Sequence, residues 1–134
     1  MNMMRIVAGM LLAVLFAAPV AAREELIDPA PIAVPAGLDD AKIAGAVKAS
    51  LIARTWTVMA VKPGHIDAEL HLRKHVAKIA IDWDTANVRI AYVSSDNLDF
   101  KEKRGKRYIH ENYLSWIQYL VDDFKRNLQN ATVM

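Results

Sequence analysis

Four histidines, His65, His71, His75 and His110, are the residues of this chain that most directly invite chemistry. Neutral imidazole is the commonest protein ligand for a metal ion, and His71 and His75 stand four positions apart. That spacing aims two ligands at one metal only on a helix. The residues around them alternate apolar and polar with a period of two instead. No carboxylate completes an H-E-x-x-H pattern, so the sequence assigns no metal site and no cofactor. A nucleophilic serine would have to be Ser94 or Ser95, with His110 and either Asp96 or Asp99 as partners. Nothing there resembles the strained G-x-S-x-G turn, and a triad is defined by geometry rather than by composition. S-S-D-N reads as a turn whose side chains bond their own backbone. No catalytic residue is assigned, and the chain is read as a non-enzyme.

Two other groups could bind rather than react. The run K-E-K-R-G-K-R sets Lys101, Lys103, Arg104, Lys106 and Arg107 against Glu102 alone. Beside an anionic membrane each such cation adds about 1 kcal/mol of attraction. Directly after it, His110, Asn112 and Tyr113 stand at the entrance of an apolar helix. They are candidates for the mouth of a small-ligand or metal pocket between a sheet and that helix. The same residues can also start the helix. Asn is among the best N-caps, whereas with His110 as the half-in residue Glu111 falls at the positive helix end.

The elements that would position these residues begin after a leader. M-N-M-M-R-I-V-A-G-M-L-L-A-V-L-F-A-A-P-V-A-A has a basic start at Arg5, an apolar run over residues 6–18, a break at Pro19 and small residues at 20–22. This is the pattern of a secretory signal peptide, with cleavage expected near Ala22 and a periplasmic or secreted product. The apolar run is short for a membrane span, which takes about 20 residues. The whole chain has 17 basic and 15 acidic residues; the leader holds only Arg5, which leaves 16 against 15, or +1. Near-neutral charge and an export signal both argue against a nucleic-acid partner. Without any Cys there is no disulfide, no thiolate nucleophile and no lipid-bearing Cys, so the core alone must hold the fold.

Residues 23–37, with three of the five prolines, read as a Pro-rich tether. A single α+β domain is expected over 38–130, followed by a short tail at 131–134. Asp39 and Asp40 start a helix with Ile43, Val47 and Leu51 on one face. Four strands then follow, at 56–62, 65–73, 75–83 and 88–94. With a tight turn at Arg73-Lys74, Leu70 faces Ala77, Ala68 faces Ile79, Ile66 faces Ile81, and Glu69 faces Lys78. With residues 84–87 as the next loop, Trp83 faces Val88, Ile81 faces Ile90, Ile79 faces Tyr92, and Asp82 faces Arg89. Both hairpins then put apolar pairs on one face and opposite charges on the other, and a slip of one residue would destroy the agreement. The first strand is ambiguous: counting from Pro63-Gly64 points Trp56 outward, and a bulge would turn it inward. Leu98 and Phe100 extend the sheet briefly. A last helix over 111–128 carries Tyr113, Trp116, Ile117, Leu120, Val121, Phe124 and Leu128 as its apolar stripe. The expected architecture is α-β-β-β-β-α, a four-stranded antiparallel meander with both helices on one face. Its other face should carry Ala80, Ala91 and Val93 among charges, which suits contact with a protein or a second copy.

The segments T-W (55–56), P-G-H-I-D-A-E-L-H-L-R-K-H-V-A-K-I-A-I (63–81), I-A-Y-V-S-S-D-N-L (90–98) and I-H-E-N-Y-L-S-W-I-Q-Y-L (109–120) resemble a family of small exported proteins and lipoproteins of proteobacteria. No function is established for that family. The resemblance spans about residues 40–128 and implies an exported domain without implying a reaction. The chain departs from the family in lacking a lipid-attachment Cys and in having Leu114 where members often have Asn. The sequence therefore points to a non-enzymatic envelope protein that binds another protein or an anionic lipid or cell-wall component.

Overall fold

The computed structural model describes residues 23–133; the expected signal peptide lies outside the described residues. The chain is α+β with antiparallel sheets. Strands β1 (Arg23–Glu25) and β2 (Ile32–Ala33) precede helix α1 (Asp40–Ala53). Strands β3 (Thr57–Lys62), β4 (His65–Leu72), β5 (His75–Trp83) and β6 (Asn87–Asp96) form the meander. A hairpin of β7 (Lys101–Lys103) and β8 (Lys106–His110) leads directly into α2 (Glu111–Ala131). The strands form two sheets rather than one. The larger has the order β2-β6-β5-β4-β3 and the smaller β1-β8-β7.

Both registers expected for the central hairpins are present. Ala68 pairs with Ile79 and Glu69 with Lys78; Ile81 pairs with Ile90, Ile79 with Tyr92 and Asp82 with Arg89. The inward residues of β4, β5 and β6 join Ile43, Val47 and Leu51 of α1 and Ile117, Leu120, Phe124 and Leu128 of α2 in one continuous core. Trp56 belongs to that core and is 3% exposed. The register of β3 against β4 slips between Val58 and Ala60, and this β-bulge turns the start of the strand over so that Trp56 faces in.

Several expectations fail. The segment read as a tether is part of the fold: β1 pairs with β8, β2 pairs with β6, and Leu26 and Ile32 are buried. Its prolines fall outside the paired residues, Pro29 and Pro31 before β2 and Pro35 after it, where no ladder N–H is required. The basic run, which the expected order of elements leaves outside any strand, forms the β7–β8 hairpin. Leu98 and Phe100 lie outside any strand; Leu98 is buried, and its carbonyl accepts the His110 N–H at 2.8 Å. The four-stranded meander thus gains β2 at its edge, and a second sheet stands beside it.

Local signals explain the turns. Asp39 caps α1 by accepting the Lys42 N–H at 2.9 Å. The helix ends in a Schellman pair, Thr55 N–H to the Ile52 carbonyl and Trp56 N–H to the Leu51 carbonyl, with Thr55 in the left-handed region at φ 66°. Gly64 takes φ 70° in the β3–β4 turn, and a Cβ there would stand 3.0 Å from the Trp83 carbonyl oxygen. The helices are joined by polar contacts. The Arg54 guanidinium grips Asp123 at 2.7 and 3.3 Å, and Asn127 donates to the Ser50 hydroxyl at 2.8 Å.

Candidate functional site: the basic hairpin and the entrance of α2

In β7 and β8, Lys103 lies opposite Lys106, Lys101 opposite Tyr108, and Glu102 opposite Arg107. β1 continues the ladder, with Glu25 opposite Tyr108 and Arg23 opposite His110. Opposed residues share a face and neighbours along a strand alternate. One face of the small sheet therefore carries Lys101, Lys103, Lys106, Tyr108, His110, Glu25 and Arg23. The other carries Ile109, which is fully buried. Arg104 and Gly105 form the turn, at φ 53° and 78°. Two left-handed residues make a type I′ turn, whose twist suits a tight hairpin.

The five candidate cations are thus divided. Lys101, Lys103 and Lys106 share the solvent face, and Arg104 stands at the tip. Arg107 is on the inward face, half-buried, with its guanidinium 3.5 Å from the Asp28 carboxylate. Arg23, which the sequence reading left out of the basic group, joins the solvent face through β1. The acid on that face is Glu25, 3.9 Å from the Lys106 ammonium. Lys103 and Lys106 face each other directly, an arrangement that costs stability in a ladder.

The three residues at the helix entrance take different roles. His110 is the N-cap, its Nδ1 accepting the Asn112 N–H at 3.0 Å. Asn112 is therefore not the cap but lies exposed within the first turn. Tyr113 is core, 2% exposed, with its ring edge-on to Tyr92 at 5.6 Å. Tyr92 in turn stacks on Phe100 at 4.9 Å. Burial pushes the Tyr113 hydroxyl far up from its usual range. A cavity of about 170 Å³ beside Tyr113 is walled by Leu26, Asp28, Pro29 and Ile117. It lies between the 26–29 segment and α2, not between sheet and helix, and neither His110 nor Asn112 lines it. Ligand pockets are usually larger, about 300–1,000 Å³. A wider groove of about 530 Å³ runs between α1 and the end of α2 over Gly45, Ala46, Ala49 and Ala131.

The remaining histidines each have a partner. His65 donates from Nδ1 to Asp82 at 2.6 Å and from Nε2 to Asp67 at 2.8 Å. Asp82 first, then Asp67, holds its imidazolium above the usual histidine range. His71 bonds Glu69 at 3.0 Å, and the His75 Nδ1 bonds the Asn97 carbonyl at 2.6 Å. Among the described residues no three His, Asp or Glu side chains converge as a metal site would need. Ser95 shares a hydrogen bond with the Tyr92 hydroxyl at 2.7 Å. Among the described residues no helix is long and apolar enough to cross a membrane. Compared with known proteins, the chain matches no family model, no curated protein and no solved structure.

Proposed function

We propose that this is a non-enzymatic protein exported to the cell envelope, where the β7–β8 hairpin docks on an anionic envelope component, the phosphate-bearing headgroups of a membrane surface. The observation that carries this reading is the solvent face of the small sheet. Four cations, Arg23, Lys101, Lys103 and Lys106, share it with one carboxylate, Glu25, and Arg104 extends it at the tip. The opposed Lys103 and Lys106 repel each other in the free protein, and a phosphate between them would offset that repulsion. At about 1 kcal/mol per cation near an anionic surface, the patch supports a reversible association. Tyr108, half-buried on the same face, is an amphipathic side chain suited to a headgroup layer. Export itself is supported by the leader sequence and by the resemblance of several motifs to those of small exported proteins.

The test is co-sedimentation of the domain with neutral and with phosphatidylglycerol-containing vesicles. Binding is expected to the anionic vesicles only and to weaken as salt rises. Lys103→Glu and Lys106→Glu are each expected to lower binding about tenfold or more, since each reverses one charge, with the melting temperature held or raised, since each also turns the opposed lysines into a pair of opposite charge. Equal binding by wild type and both variants would reject the hairpin as the docking element.

A further inference from the structure

We infer that the outer face of the five-stranded sheet is a self-complementary contact surface, on which a second copy of this chain seats about a two-fold axis parallel to the strands and between β4 and β5. The first observation is a pair of β-bulges. In β3 the register slips between Val58 and Ala60, making Met59 the extra residue. In β6, Lys78 pairs with Ser94 and Ile79 with Tyr92, making Val93 the extra residue. Because Ala68 and Ile79 are themselves partners, the two bulges flank the central hairpin at nearly the same level. Each presents an apolar side chain to solvent, Met59 at 54% and Val93 at 56% exposure. Three strand spacings separate them by about 14 Å. Between them lies a shallow groove of about 370 Å³, crossed by Glu69 and Lys78. Bulges re-aim side chains where a strand has more to do than pair. Here both re-aim an apolar residue onto the wet face.

The second observation is what such an axis does to this face. It lays β3 over the partner's β6 and β4 over the partner's β5 without changing level along the strands. Met59 then meets the partner's Val93. Glu69 meets the partner's Lys78, and Lys78 the partner's Glu69. Ala60, opposite Asp67, meets the partner's Ala91, opposite Ala80. The three alanines of that row allow the face-to-face approach of about 10 Å that aligned sheets adopt, and its fourth residue, Asp67, bonded to His65, lies over the partner's Ala80. A cross-strand pair of opposite charge becomes complementary to itself under this operation, a property that an unrelated partner would have no reason to match. The occupant is therefore a second copy. A face about 20 by 25 Å buries about 1,000 Å² in all, at the lower bound for a specific interface, so the dimer is weak and depends on concentration. One row opposes it. Lys62, opposite His65, comes to the rim beside the partner's Arg89, opposite Asp82.

Sedimentation velocity of residues 23–134 over a rising concentration series tests this directly. The wild type is expected to pass from monomer to dimer. Glu69→Lys and Lys78→Glu are each expected to weaken the dimer at least tenfold, and the double exchange to restore it. Met59→Ser, an exposed change that leaves the core untouched, is expected to weaken it as well. Arg89→Glu is expected to tighten it. Circular dichroism and melting temperature confirm that each variant is folded. A wild type that stays monomeric throughout overturns the inference. So does an association that ignores both Met59→Ser and the single charge reversals, which would put the contact on another face or another partner. The result is independent of vesicle binding, since the hairpin lies in the other sheet.

Discussion

Thr55 shows how one residue can work against its own position. As the C′ residue of α1 it must take positive φ, at 66°, a conformation that suits Gly and that β-branched side chains resist. Its hydroxyl gains only a bond to the Arg54 carbonyl at 2.6 Å in an exposed setting. Thr55→Gly should therefore raise stability by about 0.5–1 kcal/mol, the left-handed penalty less the greater chain entropy of Gly, as read by urea unfolding. Chain direction explains why this is hard to see beforehand. T-W after an Ala-rich helix carries no Gly to announce the left-handed turn, and Trp56 looked outward because the bulge at Met59 has no sequence mark. His110 was easier. Its place ahead of Glu111 already made it a candidate half-in residue, and the structure chooses it over Asn112.

At the scale of elements, the two helices meet through a buried carboxylate. Asp123 is 2% exposed and bound by Arg54 at 2.7 Å and Arg126 at 2.8 Å. The Arg54 guanidinium also lies 4.9 Å from the centre of the Tyr119 ring. Arg54 holds the Asp123 carboxyl below the usual carboxylate range, with Arg126 adding to the effect and burial opposing it. A folded pKa below the unfolded one gives stability that is present above the unfolded value and is lost as pH falls through the folded one. Asp123→Asn should cost about 2 kcal/mol at neutral pH, less than a fully buried pair because Arg54 is partly solvated. The variant should also show a flatter loss of stability below pH 4 in acid titrations followed by circular dichroism. The central hairpins could be read from the sequence because β4 and β5 are long, alternate apolar with polar residues and carry opposed charges that agree with only one register. The β7–β8 hairpin could not, because Ile109 is its one fully buried apolar residue and polar strands show no period. The R-G dipeptide at its turn was the available signal, since Gly105 can supply one of the two positive φ angles that a type I′ turn needs.

The described fold is closed by β1 and β2. β1 and β2 are three and two residues long, too short for any periodic pattern, and three prolines made their segment look unpaired. Yet Leu26 and Ile32 sit in the core, and Asp28 accepts the Tyr92 N–H of β6 at 3.0 Å where no neighbouring strand reaches it. A chain starting at residue 35 would lose both side chains, about 1.5–3 kcal/mol each, out of a total that is commonly 5–15 kcal/mol. Its melting temperature should drop sharply, and it should bind a hydrophobic dye that the longer chain does not. An unchanged melt would return these residues to the role of a simple tether.

The pairing of Arg23 with His110 also sets an order of events. Hairpins β3–β4, β4–β5 and β5–β6 close short loops and can form early, because their contacts are local. β1 cannot follow them until β8 exists. On a chain that emerges N-terminus first, Arg23–Glu25 waits unpaired while more than eighty residues pass, and Leu26 stays exposed with it. β1 is therefore the last of the strands to find its place, and it remains open to any carrier or protease through most of the chain's passage.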